Sequence, residues 1–218
     1  PAGACIYCLE FQAWEQALNA VVRRRAPHLR MIGFQHTSVS RNLYFYFRTP
    51  DEVSRRDSAT DMPLPDLIAA SGETPAGLLR ESGFERVVEV ESIRQLHLAD
   101  VTASGGPVPG ATPEMVVAGS IDADETRSLL AMVASAWPRP GRLRVRLKGH
   151  PSMPMAPLLA ELGIDLRDTG FEVEEGTAGE ALARAAIALV SSSAVAIEAL
   201  AYGCEVIVPA FSIFPCLT

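Results

Sequence analysis

The chain has 218 residues, 48% of them hydrophobic, and a formal charge of −7. That length allows one large or two small domains with a substantial core. The acidic balance excludes a general nucleic-acid binder, which carries a basic face, and no apolar run reaches the length that spans a bilayer.

Taken in order, the first half alternates strands and helices. Ala4 to Leu9 reads as a strand, and Phe11 to Arg25 as an amphipathic helix with Trp14, Leu18 and Val22 on its apolar face. Arg30 to Phe34 is a second strand, Leu43 to Phe47 an aromatic extended piece, and 51–64 a polar, proline-bounded loop. Leu67 to Ala70 is a strand. Thr74 can cap a helix from Pro75 to Glu81. Val87 to Val90 is a strand, and Ile93 to Leu98 is a helical or extended exit.

Residues 102–113 are rich in Gly and Pro and read as a linker. Glu114 to Ala118 then restarts the pattern with a strand closed by Gly119-Ser120. Asp122 or Asp124 caps a helix that runs to Trp137. Arg142 to Lys148 is a strand, Ala156 to Leu162 a helix, and Phe171 to Val173 a strand. Thr177 caps a helix from Gly179 to Ala185. Ile187 to Val190 is a short buried strand. Ser191, Ser192 and Ser193 follow, then a helix from Val195 to Tyr202 and a strand from Glu205 to Val208.

Strands alternating with helices favour parallel, doubly wound sheets. The fold expected is α/β, with two Rossmann-like lobes: residues 1–101, a linker at 102–113, and residues 114–218. Such folds bind ligands beyond the C-terminal ends of their strands. Gly119-Ser120, Lys148-Gly149-His150 and Ser191 to Ser193 all fall at predicted strand ends. Hydroxyls, an imidazole and an ammonium suit a phosphate-bearing ligand, with His150 and the serine turn expected across adjacent strand ends. No G-x-G-x-x-G follows a first strand and no P-loop is present, so NAD, FAD or a Walker-type ATP site is not expected. No D-x-D element is present, and no metal or cofactor is expected. In the first half, Glu10 and His36 end predicted strands and are candidate acid–base groups. Gln35 lies beside His36. Arg94 can grip an anionic carboxylate by a bidentate hold, or form a surface pair with Glu91. Arg142, Arg144 and Arg146 read as a solvated face that only Lys148 extends into the cleft. Cys5 and Cys8 read as buried structural thiols, and the four cysteines make no disulfide framework.

Lys148-Gly149-His150-Pro151, the serine cluster and Glu198-Ala-Leu-Ala-Tyr-Gly203 resemble the C-terminal domain of GT-B glycosyltransferases. More narrowly they are similar to bacterial transferases of CMP-activated acidic sugars, such as sialyltransferases and Kdo transferases. Glu10-Phe-Gln-Ala-Trp-Glu15, Gly33-Phe-Gln-His36, Leu64-Pro-Asp66 and Glu91-Ser-Ile-Arg94 resemble bacterial surface-carbohydrate biosynthesis proteins. The resemblance implies a nucleotide-sugar donor as substrate and a glycan or lipid-linked acceptor. It implies a cytoplasmic protein with peripheral association at the inner membrane face. His150 would contact the nucleotide phosphate and help the leaving group depart, and Glu198 would bind the ribose. The resemblance assigns no catalytic base, and about a hundred residues before the linker imply an incomplete N-terminal lobe. A polyol-phosphate transferase, a UDP-sugar epimerase or a non-catalytic nucleotide-binding scaffold of the same architecture are the alternatives.

Overall fold

Short buried strands joined through helices build two separate parallel sheets. The computed structural model describes residues 3–39, 46–49, 52–53, 62–103, 113–138 and 140–211. The linker expected at 102–113 lies outside the described residues from 104 to 112, as do most of the 51–64 loop, Leu43 to Phe45 and Cys216. The chain divides into two units, one ending at Leu96 and the other starting at His97.

The first unit carries β1 (Gly3–Cys8), α1 (Ala13–Arg25), β2 (Leu29–Gln35), β3 (Leu67–Ser71), α2 (Glu73–Glu81) and β4 (Val87–Val90). A 3₁₀ turn, Ile93–Gln95, follows β4. Its sheet runs β1-β2-β3-β4, parallel throughout. α1 departs from the expected stripe. Trp14 is 57% exposed, while Glu15 and Asn19 are buried beside the half-buried Leu18 and Val22. Hydrogen bonding makes this possible: Glu15 accepts the Glu10 amide and Asn19 donates to the Tyr7 hydroxyl at 2.7 Å. β1 is an edge strand, so Cys8 is exposed and Cys5 half-buried rather than both being buried. Thr74 is not the cap: α2 begins at Glu73, two residues earlier than expected, after Gly72.

The second unit carries α3 (Leu98–Ala103), β5 (Glu114–Ala118), α4 (Ala123–Ala136), β6 (Arg144–Lys148), α5 (Met155–Glu161) and α6 (Leu166–Thr169). β7 (Glu172–Glu174), α7 (Ala178–Leu182), β8 (Ile187–Val190), α8 (Val195–Ala201) and β9 (Glu205–Ile207) complete it. The sheet order is β7-β6-β5-β8-β9, all parallel. The chain builds outward from β5 to β7, then crosses back to β8, so the strand order reverses between β5 and β8. Both faces are covered, which is why β5 is buried along its whole length. Met115, Val117, Val145, Leu147 and Leu189 pack with α4 and α5 on one face. Val116, Ala118, Ala188 and Val190 pack with the alanine-rich α7 and α8 on the other. α6, not expected from sequence, has an Asp165 cap and a left-handed Gly170.

β6 starts at Arg144, two positions later than expected; Arg144 is exposed as expected, but Arg146 is half-buried and both are paired with carboxylates. Glu114, 9% exposed, accepts from Arg146 at 2.7 Å and Arg144 at 3.1 Å. Arg146 also reaches Glu172 at 3.2 Å and Glu174 at 3.4 Å, and Arg184 reaches Glu174 at 2.6 Å. Burial alone pushes the Glu114 carboxyl up; hydrogen bonds and charge from Arg146 and Arg144 outweigh it and hold it below the usual carboxylate range. A depressed folded value contributes stability that is present above the unfolded value and lost as pH falls through the folded one. In urea unfolding from pH 7 to pH 3, Glu114→Gln is therefore expected to be less stable than wild type at pH 7, with the gap closing on acidification. Parallel stability curves would rule this out.

Candidate functional site

Three strand ends and a loop of the second unit enclose a cleft of about 570 Å³. β5 supplies Ala118 and Gly119, β6 supplies Lys148 to Pro151, and the loop after β7 supplies Glu175 to Ala178. Glu180 comes from α7, Ser193 from the turn after β8, and Val195 from the start of α8. The cleft lies at the C-terminal end of a parallel sheet, beside its switch point, where such folds take ligands.

The expected adjacency of His150 and the serine turn needs correcting in one respect. β6 and β8 are not neighbours; β5 lies between them. Two strand spacings amount to about 10 Å. A ligand touching both His150 and Ser193 must therefore pass over the end of β5. At that end Gly119 packs closely under Thr126, where a Cβ would lie 3.1 Å from Thr126 Cγ2.

His150 is half-buried, and its Nδ1 accepts the Ser152 amide at 3.1 Å. An accepting Nδ1 leaves the proton of the neutral imidazole on Nε2, as a donor. Lys148 is half-buried, is the chain's only lysine, and makes no ion pair among the described residues. Gly149 between them is in close quarters, since a Cβ would meet the Met153 carbonyl oxygen at 3.0 Å. That carbonyl is backbone of the same His150 to Met153 turn and cannot swing away. Gly149→Ala is expected to shift the turn and to cost about 1–3 kcal/mol in urea unfolding; an unchanged midpoint would show that the turn absorbs the methyl group.

The serines do three different things. Ser193 lines the cleft, and its Oγ accepts the Val195 amide at 3.3 Å. Ser192 gives both its amide and its hydroxyl to Glu125, at 2.9 and 2.8 Å. Ser191 is buried and its hydroxyl has no hydrogen-bond partner among the described residues. Ser120 is also buried; its amide donates to Thr126 and its Oγ accepts the Asp122 amide. Ser120 and Ser192 thus spend their polar groups inside the protein. Glu198 is half-buried and is not among the residues around the cleft.

The carboxylates on the cleft are Glu175 and Glu180. Glu180 is engaged in a capping box with Thr177, accepting its amide at 2.6 Å and its hydroxyl at 2.9 Å. Glu175 is exposed, with no hydrogen bond among the described residues. Neither was singled out from sequence, because both sit in an acidic run that reads as solvated surface.

In the first unit the structure joins Glu10 and His36. They follow β1 and β2, and His36 Nε2 lies 3.4 Å from Glu10 Oε1; His36 Nδ1 is buried, with no partner among the described residues. The chain enters α1 through Phe11 at φ 55°, a strained value for a bulky residue, held by Tyr46 and Phe84 around its ring. Burial pushes the Tyr46 hydroxyl up to about 12, so it stays neutral. Gln35 is buried and committed to structure: its Oε1 accepts the Ser71 amide at 2.9 Å and its Nε2 donates to the Thr37 carbonyl. Arg94 is exposed and makes no ion pair with Glu91 among the described residues. Among the described residues no group of three or more His, Cys, Asp or Glu is placed to hold a metal ion, and no helix is long and apolar enough to cross a membrane.

No protein-family model matches the chain, and no curated protein matches it. Among solved structures it is similar to KpsC of Thermosulfurimonas dismutans, a beta Kdo 2,7 transferase. The two share 15% identity over 95% of this chain and 78% of that one, with a TM-score of 0.38.

Proposed function

We propose that the second unit binds the nucleotide of an activated sugar, and that the chain is a glycosyltransferase of bacterial surface-polysaccharide assembly. A CMP-linked acidic sugar is the preferred donor, a glycan or lipid-linked molecule the acceptor, and the inner face of the membrane the place of action. The observation that carries this reading is the convergence of Lys148, His150 and Ser193 on one cleft at the C-terminal end of a parallel sheet. Its volume lies in the range of small-molecule sites, roughly 300–1,000 Å³. The resemblance of Lys148-Gly149-His150-Pro151 and the serine cluster to GT-B donor domains adds support.

In this reading the donor phosphate lies over the end of β5. His150 donates from Nε2 and Lys148 from its ammonium, and both stabilise charge that develops on the departing nucleotide. Glu175, rather than Glu198, is the carboxylate available to ligand hydroxyls. Glu10 and His36, paired with each other in the first unit, are proposed as its acid–base groups on the acceptor side. The test is calorimetric titration of the whole chain with CMP, CDP, UDP and GDP. Binding of one nucleotide, CMP foremost, is expected. Binding to none of the four overturns the reading, and binding without any sugar transfer favours a scaffold.

A further inference from the structure

Two consecutive residues in the first turn of α4 tie down the loops on either side of the switch point. Thr126 Oγ1 accepts the Ser120 amide at 2.9 Å and donates back toward the Ser120 and Asp122 carbonyls, at 3.1 and 3.0 Å. It fixes the loop after β5. Glu125 fixes the loop after β8. Its Oε1 accepts the Ser192 N–H at 2.9 Å and its Oε2 the Ser192 hydroxyl at 2.8 Å.

Glu125 is an unusual residue for that task. It is 2% exposed and forms no ion pair among the described residues. A buried carboxylate without a cation is unfavourable unless hydrogen bonds satisfy its oxygens. Here the two Ser192 donors do so, and the positive end of a 14-residue helix supplies the rest. The glutamate's own amide is held by the Asp122 cap. Local to α8 the turn is held by the Ala196 amide on the Ser193 carbonyl, at 3.1 Å, but Ser192 has no bond to the helix among the described residues. The helix N-cap is Ala194, which offers no side-chain bond, and the Ser193 to Val195 contact is long.

We propose that Glu125 is a positioning residue of the cleft. Its carboxylate, rather than the capping of α8, holds the turn from Ser191 to Ser193 at the height where Ser193 faces the ligand across Gly119. A hydrophobic residue at 125 could fill the same space, but it could not choose between turn conformations; two directional bonds can. The inference rests on the nucleotide-cleft reading above for the identity of the ligand, and on geometry alone for the clamp.

The experiment uses the whole chain, CMP as ligand probe, and amide hydrogen exchange as a readout that needs no ligand. In Glu125→Ala, exchange at residues 191–195 is expected to rise about tenfold or more while β8 keeps its wild-type rates, and CMP affinity is expected to fall about tenfold. Glu125→Gln is expected to restore both to within about threefold, because the amide oxygen accepts the Ser192 N–H and the hydroxyl rotates to accept from the amide nitrogen. Ser192→Ala keeps one bond and falls between. If Glu125→Ala does not fold, the last two variants decide, with faster turn exchange expected in Ser192→Ala than in Glu125→Gln. Unchanged turn exchange in Glu125→Ala and Ser192→Ala overturns the proposal. So does a rise in β8 as large as in the turn, or equal losses in the Gln and Ala variants. Should wild type bind no CMP, the functional reading falls, and the exchange rates alone still decide the clamp.

Discussion

Replacing His150 by alanine is expected to weaken nucleotide binding roughly ten- to a hundredfold while leaving Tm within about 2 °C of wild type. The binding loss corresponds to one charge-assisted hydrogen bond, about 1.5–3 kcal/mol. The small effect on folding follows from the surroundings. His150 follows β6, outside the strand, and its ring accepts one bond, from the amide of exposed Ser152. That amide turns to water when the ring is removed. The two nitrogens can be separated by substitution. Asparagine mimics Nδ1 and keeps the turn bond; glutamine mimics Nε2 and keeps a donor toward the cleft. The affinities should therefore rank wild type, glutamine, then asparagine level with alanine. His28→Ala is the control, since His28 is exposed in the turn before β2. Equal affinities for His150→Ala and His28→Ala, or unfolding of the former alone, would return His150 to a purely structural role.

The strand ends that line the cleft were legible in the sequence because burial writes them plainly. β5 and β8 are covered on both faces and read as continuous apolar runs, so the polar residues that follow them stand out. The features that escaped are those set by contacts distant in sequence. Glu125 reads as an ordinary acidic residue in a helical first turn, and only its partner 67 positions later reveals otherwise. Glu15 and Asn19 displace Trp14 from the buried face of α1 as the Glu10 amide bonds the Glu15 carboxylate and the Asn19 amide nitrogen bonds the Tyr7 hydroxyl. The arginines of β6 look solvated until Glu114, Glu172 and Glu174 arrive on the neighbouring strands. Periodicity reports which positions an element buries, but not which polar groups find a partner there. The separation of His150 from the serine turn by β5 was hidden for a related reason: sequence order does not give strand order once the chain crosses back past β5.

Leu147→Ala is expected to show the opposite pattern to His150→Ala: a loss of about 2–5 kcal/mol in stability with nucleotide affinity retained by the molecules that stay folded. Leu147 and Lys148 are neighbours on β6, yet they face opposite sides of the sheet. Leu147 is 0% exposed and packs among Met115, Val117, Leu129 and Leu158, so its removal leaves a cavity that the two helices above cannot fill without moving. Lys148 and His150 are held by other means. The Lys148 carbonyl accepts the Gly119 amide at 2.8 Å, and Met153 donates to the His150 carbonyl at 2.8 Å. Those backbone bonds do not depend on the leucine side chain. The comparison is with Leu200→Ala on α8, where the side chain is 64% exposed and truncation should stay within about 0.5 kcal/mol. Urea midpoints measure both. A Leu147→Ala loss no larger than that of Leu200→Ala would mean that β6 is not anchored through its apolar face. A folded Leu147→Ala that had lost affinity as far as His150→Ala would mean that the packing layer and the ligand end of β6 are not separable.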